Sequence, residues 1–395
     1  MCFTERSKQL DTKKLLFDCI REEIDENFEI SEKNEIKEEQ LKILYQLAWK
    51  HDLTHVVAKT LRAEIVNTKY EKLYNDSLYM AVCRYEQKKY VREQISNTFE
   101  QNEVPHIFLK GSVLCDYYPE PWMRTSCDID VLVKIEDLDE AIELLVNTLS
   151  FTCGKRDSHD VSLYSQEGVH IELHYDLIEV IDSAGRVLSK VWETATLEDK
   201  STSKYSMSDE MFYFYHMAHM AKHFLHGGCG MRSLLDVWVL NNKISFNREK
   251  RIDLLREGKL GSFAHEVEYL AEVWFGNNVH NHTSSMLEEY ILAGGIYGSL
   301  ENKVAVQRSQ GDSKIKFAIK RVFMPYKEMS LEFPKLKKMP YLLPGFWVIR
   351  WIKCLDKKRI RHALKEFKLN NMLDQSNQSK SKELLEKLEL EILNG

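Results

Sequence analysis

Two aspartates stand two residues apart within the apolar segment CDIDVLV (127–133). Residues i and i+2 of a β-strand point to the same face, so Asp128 and Asp130 project together while Ile129 and Val131 point into the core. At about 7 Å and an effective dielectric of about 20, the two charges would repel by roughly 2.4 kcal/mol. A divalent cation between them offsets this repulsion, and oxygen ligands favour Mg²⁺ or Mn²⁺ over Zn²⁺. The pair therefore predicts a metal site.

A third carboxylate and a Gly-Ser pair suit the same chemistry. Glu172 lies in the middle of a second strand-like segment, VHIELHY (169–175). Gly111 and Ser112 follow the apolar run HIFL (106–109), where a strand passes into a helix. The backbone N–H groups and the hydroxyl of such a junction are suited to binding phosphate. Together these features predict a site for a metal ion and a phosphorylated ligand.

The elements that position these residues form a small α/β unit of short strands and helices. In chain order they are a strand at 106–109, a helix at 111–118, a strand at 127–133, a helix at 136–149, and strands at 161–165 and 169–175 joined by a turn at 166–168. His170 and His174 share the predicted face of Glu172, so that face is polar throughout.

Helical patterns dominate the rest of the chain. Apolar residues recur at three- and four-residue spacing before residue 102, and the clearest later helix, 209–228, ends at Gly227 and Gly228. We predict four regions: an N-terminal helical region (1–101), an α/β core (102–176), a helical C-terminal domain (177–373), and a polar linker with a terminal helix (374–395).

The motifs LKGSVL, R-x-x-x-DIDVLV and HIELH resemble those of the nucleotidyltransferase superfamily typified by DNA polymerase beta. More narrowly, the chain resembles the bacterial uncharacterised nucleotidyltransferase family, over about 70 core residues and more diffusely to about residue 370. The resemblance implies an α+β fold, in which a small mixed-sheet, polymerase beta-like nucleotidyltransferase domain is embedded in largely helical N- and C-terminal regions. It also implies an enzyme that transfers a nucleoside monophosphate from a nucleoside triphosphate to a hydroxyl and releases pyrophosphate. ATP is one of the triphosphates that it would bind.

The resemblance further implies roles for five residues. Asp128 and Asp130 would bind two Mg²⁺ (or Mn²⁺) ions, and Glu172 would bind the ion that activates the acceptor hydroxyl. Gly111 and Ser112 would hold the triphosphate. The acceptor stays open among a small molecule, a sugar, a peptide, a protein and an RNA end.

Two basic residues near these motifs are candidate nucleotide contacts. Lys110 directly precedes Gly111, and Arg124 lies in the loop before the metal strand. Each also has an ordinary interpretation, because a lysine at a strand end can extend its charged group to solvent and a loop arginine is commonly solvated.

A stripe of four histidines follows one helix, at positions 216, 219, 223 and 226. Either these residues pack in the core or part of the stripe faces the cleft, and we select His223 as the candidate nucleotide contact. Arg232 is a second candidate; with Asp236 at i+4 it also has the interpretation of a pair on a helix surface.

Charge is unevenly distributed along the chain. The whole protein carries a formal charge of −6, which excludes a uniformly basic coat, yet residues 311–370 contain 16 Lys/Arg against 5 Asp/Glu. This segment predicts a contact with a polyanion, such as nucleic acid, an anionic membrane or a phosphorylated acceptor. The alternative is a helical core with solvated lysines on its rim.

Sequence features also bear on location. The N-terminus lacks the apolar core of a signal peptide, and the apolar stretch 339–355 is interrupted by Pro344, Arg350 and Lys353, so we predict no transmembrane segment. Eight dispersed cysteines without a CxxC pair indicate reduced thiols and a cytoplasmic protein. The alternative to an enzyme is a non-catalytic nucleotide- or RNA-binding protein that uses the same cleft and the 311–370 segment.

Overall fold

The structure is a computed structural model that describes residues 3–31, 33, 36–177, 181–296, 298–309, 319–320, 322–326, 329–330, 333, 335–353, 357–372 and 375–390. Residues 311–318 of the predicted basic segment, and several shorter stretches up to 356, lie outside the described residues. The fold is α+β, as the sequence predicts, with a mixed seven-stranded sheet between helical regions.

The helices of the N-terminal region and the sheet region are α1 (Phe3–Ile24), α2 (Glu38–Lys50), α3 (Thr54–Thr60), α4 (Arg62–Ile65), α5 (Glu71–Gln101), α6 (Gly111–Leu114) and α7 (Leu138–Asn147). Amphipathic spacing explains their packing: α2 buries Leu41, Leu44 and Ala48, which lie at i, i+3 and i+7 on one face. Helix α3 packs against both α1 and α5, so α5 connects the helical region to the sheet.

The seven strands are β1 (His106–Phe108), β2 (Asp128–Val133), β3 (Thr152–Arg156), β4 (Asp160–Tyr164), β5 (His170–His174), β6 (Thr196–Leu197) and β7 (Lys204–Ser206). Their order across the sheet is β3-β4-β5-β2-β1-β7-β6. Strand β2 runs antiparallel to β1 and parallel to β5, which places the two acidic strands side by side at the centre of the sheet.

Three of these strands were not expected from the sequence. Strand β3 is exposed along its whole length and polar, so it lacks the apolar alternation that marks a half-buried strand. Strands β6 and β7 contain two and three residues, too few for any periodicity, and they extend the sheet beyond residue 176. The helical interpretation of the chain after Asp176 therefore misses these two short strands.

The two faces of the sheet differ in chemistry. Ile129, Val131 and Val133 of β2 are buried with Ile171 and Leu173 of β5 in a core that includes side chains of α5 and α7. Burial of each such side chain stabilises the fold by about 1.5–3 kcal/mol. The opposite face carries the carboxylates and imidazoles of the same two strands, and it is this face that forms the candidate site.

The later helices are α8 (Asp182–Leu188), α9 (Val191–Thr194), α10 (Asp209–Leu225), α11 (Met231–Lys243), α12 (Arg248–Glu257), α13 (Gly261–Phe275), α14 (His282–Ala293), α15 (Leu300–Ser309), α16 (Lys335–Lys338), α17 (Leu343–Lys353), α18 (Lys357–Met372) and α19 (Gln375–Lys387). Helix α19 includes most of the segment expected to be a polar linker, because buried Leu384 and Leu385 anchor it against α14 and α15. None of the described helices is long and apolar enough to cross a membrane. The four domain boundaries stay a prediction.

A buried histidine makes stability depend on pH. The His51 side chain is fully buried, and burial lowers its pKa to about 4. Above about pH 6.5 His51 is neutral in both the folded and the unfolded chain, so it does not make stability depend on pH. Because the unfolded chain binds the proton more tightly, the free energy of unfolding falls by up to about 3 kcal/mol as pH drops from 6.5 toward 4. We expect the urea midpoint of His51→Asn to depend less on pH over this range than that of the natural protein. The exposed-site variant His265→Asn should retain the natural pH dependence, and a variant curve parallel to the natural one would contradict the assignment to His51.

Candidate metal and phosphate site

The structure brings the three predicted carboxylates onto one face of the sheet. The parallel register of β2 and β5 sets Asp128 opposite His170 and Asp130 opposite Glu172. Potential ligand atoms of Asp128, His170 and Glu172 lie within 4.8 Å of one another, and so do those of Asp130, Glu172 and His174. Because Glu172 belongs to both groups, the two strands form one continuous cluster of carboxylates and imidazoles.

Asp130 is the most enclosed carboxylate of this cluster, with 2% of its surface exposed. Its Oδ1 accepts hydrogen bonds from Lys110 Nζ at 2.7 Å and from His174 Nε2 at 2.9 Å. Burial alone would raise the pKa of Asp130, but the charge of Lys110 and the hydrogen bond from His174 outweigh burial and lower that pKa below its usual value. Asp130 is therefore a carboxylate anion at neutral pH.

The same two basic side chains reach Glu172. Lys110 Nζ lies 4.0 Å and His174 Nε2 lies 3.4 Å from Glu172 Oε2. Burial opposes the protonated form of His174, but its hydrogen bonds to Asp130 and Glu172 raise its pKa above the ordinary value. The pKa of Lys110 is likewise raised, since attraction to Asp130 exceeds the effect of burial. An ammonium and an imidazole thus lie among the oxygens of Asp130 and Glu172.

Asp128 is in a different electrostatic situation. Burial raises its pKa first, and the neighbouring charges of Asp130 and Glu172 raise it further, although Lys110 partly opposes them. A carboxylate whose charge is disfavoured by its surroundings gains stability when a cation binds next to it. This position in the cluster therefore favours a divalent cation.

The donor set fits such an ion. Nε2 of His170 is buried and has no hydrogen-bond partner within the part of the chain that the structure describes. The ring of Tyr164 stacks on His170 with centroids 5.0 Å apart, which holds the imidazole beside Asp128 and Glu172. Carboxylate oxygens suit Mg²⁺ and Mn²⁺, and imidazole nitrogen also suits softer ions such as Zn²⁺. The sequence analysis did not assign the histidines as ligands, although their alternation with Glu172 was the available signal.

The Gly-Ser junction lies beside this cluster and has a constrained backbone. Lys110 has φ +45° and ψ −124°, an uncommon conformation for a residue with a Cβ atom, and such strain concentrates at functional sites. A Cβ atom on Gly111 would lie 2.7 Å from Cβ of Ser126, so this position has no room for a side chain. The amide of Ser112 already donates to the carbonyl of Leu109 at 3.2 Å, so the fold itself uses one of the N–H groups expected to bind phosphate.

The close approach at Gly111 gives a test of the junction. We expect Gly111→Ala to displace Ser126, which precedes the acidic strand, and to cost about 1–3 kcal/mol in the free energy of unfolding. Urea unfolding measures this cost. Gly185→Ala in α8 is the matched control, because beyond the local helix backbone nothing lies within 4 Å of its new methyl group, and it should be neutral or slightly stabilising. The double change with Ser126→Gly should restore stability; equal stability of Gly111→Ala and the natural protein would contradict the packing argument.

Helix α5 contributes cations that the sequence analysis missed. Lys88 Nζ donates to the carbonyl and the hydroxyl of Ser126, and Arg92 Nη1 donates to the carbonyl of Ser112. Burial lowers the pKa of Lys88 to about 8, although Asp128 acts in the opposite direction. These side chains border a cavity of about 30 Å³ beside Gly111 and Ser112. The basic residues of α5 have no distinctive spacing, so the sequence alone does not mark them as part of the site.

Arg124 and Arg232 occupy a buried polar network. Arg124 Nε donates to Oδ1 of Asp236 at 2.6 Å, and Tyr118 donates to the same oxygen at 2.7 Å. Arg232 Nη1 instead pairs with Oδ2 of Asp52 at 2.7 Å. The interpretation of Arg232 and Asp236 as a pair on a helix surface is therefore wrong, since both are buried and each has another partner. Arg124 also lines the small cavity beside Gly111; nucleotide contacts by either arginine stay predictions.

The histidine stripe on α10 has no single environment. His216 is hydrogen-bonded to the carbonyl of Ser233, while His226 is exposed. His219 and His223 are hydrogen-bonded to each other through their Nε2 atoms, which lie 2.9 Å apart. Burial, reinforced by the nearby charge of Lys110, lowers the pKa of His223 to about 4, which makes the imidazole neutral at pH 7. The middle of the stripe is thus electrostatically coupled to the candidate site, and the role of His223 stays a prediction.

A larger cavity, of about 1340 Å³, lies elsewhere, between α8, α12, α13 and α19. No residue predicted to belong to the site is among the described residues that line it. Its walls mix Arg186, Arg248 and Lys259 with acidic residues such as Glu386. This cavity is much larger than the one beside Gly111, but the side chains that could bind a metal ion lie on the sheet.

A mixed sheet that sets three carboxylates beside a Gly-Ser junction has the architecture expected of a nucleotidyltransferase. The chain belongs to the uncharacterised nucleotidyltransferase family, whose model matches residues 37–276. This match begins just before α2 and ends just after α13, so it includes the sheet, the acidic strands and the histidine helix. No curated protein matches the chain.

Proposed function

We propose that this protein is a metal-dependent nucleotidyltransferase that transfers a nucleoside monophosphate from a nucleoside triphosphate to a hydroxyl of an acceptor. The observation that carries the proposal is the register of β2 and β5, which joins Asp128, Asp130 and Glu172 in one cluster. Membership of the family supports the class of reaction. We place the domain in the polymerase beta-like superfamily, in a cytoplasmic protein of bacterial type.

The proposed roles follow from position. Asp128, Asp130 and Glu172 hold one or two divalent cations, with His170 as a further ligand, while His174 holds Asp130 in place through its hydrogen bond. A bound Mg²⁺ or Mn²⁺ would lower the pKa of the acceptor hydroxyl and neutralise charge on the leaving pyrophosphate.

Triphosphate binding is assigned to residues next to the acidic cluster. Gly111 and Ser112 border the ligand, and the basic groups of Lys110 and Arg124 compensate its charge. The neutral imidazole of His223 offers a hydrogen bond to the nucleotide, and Arg232 keeps the loop before β2 in place through its hydrogen bonds to Thr125.

Bond changes in the proposed reaction are those of an in-line displacement. The acceptor oxygen forms a bond to the α-phosphorus while the bond from that phosphorus to the bridging oxygen of the β-phosphate breaks. The hydroxyl passes its proton to solvent water, and pyrophosphate leaves with the bridging oxygen and the electron pair of the broken bond. In such phosphoryl chemistry the protein contributes mainly positioning and charge compensation, which matches a site made of carboxylates, an ammonium and imidazoles.

The direct test is pyrophosphate release from each of the four ribonucleoside triphosphates, with Mg²⁺, Mn²⁺ or Zn²⁺ and a cell extract as the source of acceptor. The mixed oxygen and nitrogen donors make the comparison of metals informative. We expect release that is absent from the Asp128→Asn/Asp130→Asn protein, and labelled nucleotide then identifies the acceptor. Equal release by the natural and double-variant proteins would contradict the assigned site.

One observation favours a second candidate function, a nucleotide-binding protein without catalysis. Lys110 and His174 already compensate the charges of Asp130 and Glu172, so the cleft is electrostatically stable with no metal. This candidate requires nucleotide affinity that does not change when metal is removed with a chelator, together with no pyrophosphate release. Calorimetric titration of each triphosphate, with and without Mg²⁺, separates the two functions.

A further inference from the structure

Exposed apolar side chains concentrate in the C-terminal part of the chain, outside the matched family region. More than half of the large hydrophobic side chains that are exposed within the described residues lie between positions 319 and 372. Globular proteins seldom expose contiguous apolar patches unless these contact another surface. The sequence of this segment predicts a polyanion contact or, as the alternative, a helical core, and the observed exposure excludes the core interpretation for these side chains.

Helix α17 shows how this exposure arises. Trp347 and Phe346 pack against a small cluster that contains Met329, Phe333 and Leu336. The indole N–H groups of α17 donate to backbone carbonyls of 322–324, which fixes this face of the helix inward.

The remaining face of the segment points outward. Val348, Ile349 and Ile352 are exposed at i, i+1 and i+4, and Ile352 is 62% exposed. Tyr341, on the 3₁₀ turn Pro340–Leu342 that precedes α17, is 74% exposed. Tyr341 lies seven residues before Val348 in sequence and adds an exposed aromatic ring just ahead of the helix.

Basic residues accompany this apolar stripe. Lys335 and Lys338 are exposed on α16, just before the 3₁₀ turn. Helix α18 exposes Arg361, Lys365 and Lys368 at i, i+4 and i+7. Among the described residues of 319–372, the acidic side chain is that of Glu366, which is buried and hydrogen-bonded to Lys303. The exposed charge of the described part of this segment is therefore positive.

We propose that the apolar stripe of Tyr341, Val348, Ile349 and Ile352 inserts into the surface of an anionic phospholipid membrane, with the neighbouring lysines and arginines on the lipid headgroups. Apolar and aromatic side chains bordered by Lys and Arg are the composition of helices that lie in a membrane interface. Each basic residue near an anionic bilayer adds an attraction that salt weakens. Nucleic acid explains the basic residues and Tyr341, but it offers no apolar phase for Val348, Ile349 and Ile352. An anionic membrane surface can bind both the apolar and the basic side chains.

Sedimentation with vesicles tests the proposal on the full-length protein. We expect binding to phosphatidylcholine vesicles that contain phosphatidylglycerol, weaker binding to phosphatidylcholine alone, and loss of affinity as salt is raised. Ile349→Ser/Ile352→Ser should weaken binding by about tenfold or more, because several buried carbon atoms are lost. The matched control is Leu197→Ser/Val279→Ser, which removes two exposed apolar side chains elsewhere and should leave vesicle binding unchanged.

Each of the following outcomes would overturn the proposal. The first is no binding to anionic vesicles at low salt, and the second is binding that both double variants retain equally. The third is self-association in gel filtration that Ile349→Ser/Ile352→Ser abolishes while vesicle binding is absent, since the stripe would then cover a second copy of the chain. Binding of a single-stranded RNA with no vesicle binding would assign the basic residues to nucleic acid instead.

Discussion

Replacing Asp130 with asparagine is expected to abolish both metal binding and pyrophosphate release, and also to destabilise the fold. The side chain keeps its shape but loses the charge that compensates Lys110 Nζ at 2.7 Å. Breaking a buried ion pair by removing one partner costs about 3–5 kcal/mol in the free energy of unfolding. We expect a smaller cost for Asp130→Asn, because Lys110 is partly exposed and water can solvate its ammonium group. Loss of a charge that positions reacting groups lowers turnover by roughly a thousandfold.

Asp128→Asn is expected to behave differently, and the comparison makes the prediction specific. Its surroundings raise the pKa of Asp128, so its ionised form is unfavourable in the folded protein above the unfolded pKa. Removing this charge should leave the free energy of unfolding unchanged or slightly higher at pH 7, while activity falls as severely as in Asp130→Asn. Carboxylates that serve function at the expense of stability have this signature.

Urea unfolding, Mn²⁺ binding by electron paramagnetic resonance, and pyrophosphate release should be measured on the same preparations of both variants. Asp139→Asn is the control, since its side chain is 85% exposed and lies away from the site. Wild-type Mn²⁺ affinity in both Asp128→Asn and Asp130→Asn would contradict the metal site. Equal losses of stability in the two variants would contradict the electrostatic distinction between them.

The acidic strands could be predicted from the sequence because their signal is local. Charged residues alternate with buried apolar residues in DIDVLV and HIELH, and period two fixes which side chains share a face. Their pairing could not be predicted. Nothing in either segment specifies that β2 and β5 are adjacent and parallel, or that Asp130 lies opposite Glu172. This register depends on the whole sheet and on the packing of α5 and α7 beneath it.

The partners of the charged side chains could not be predicted from local sequence patterns either. Arg232 and Asp236 have helical spacing, which suggested a pair, but α11 is buried and its neighbours supply Asp52 and Arg124 instead. Lys88 lies on α5 and contacts Ser126, in the loop before β2, which follows it by 38 residues in sequence. Such contacts are set by tertiary packing, so a single sequence gives candidates for a site but not the electrostatic state of each group.

Lys110 leads to the second prediction with a large expected effect. Its Nζ lies 2.7 Å from Asp130 Oδ1 and 4.0 Å from Glu172 Oε2, next to the oxygens that a divalent cation would use. An ammonium and a metal ion cannot both occupy the space next to Asp130 Oδ1. Metal binding through Asp130 Oδ1 therefore requires the Lys110 side chain to move, and a phosphate bound at the Gly-Ser junction would then be its new partner.

Lys110→Met is expected to bind Mn²⁺ about tenfold more tightly than the natural protein when no nucleotide is present, because the competing cation is gone. The opposite change is expected for nucleotide: with Mn²⁺ bound, triphosphate affinity should fall, because methionine cannot compensate phosphate charge. In the natural protein each ligand should strengthen binding of the other, and this coupling should be reduced in the variant, as linkage requires for a side chain that both ligands displace.

Calorimetric titrations of Mn²⁺ and of a non-hydrolysable triphosphate, each with and without the other, measure all four affinities. Lys155→Met, at an exposed lysine of β3, should reproduce the values of the natural protein. If Lys110→Met binds Mn²⁺ no more tightly than the natural protein, then Lys110 does not compete for the metal site and serves the fold through Asp130. If Mn²⁺ affinity rises and triphosphate affinity is unchanged, Lys110 excludes metal without contacting nucleotide. The two results together would locate the ammonium group in each state of the site, which no activity measurement can do.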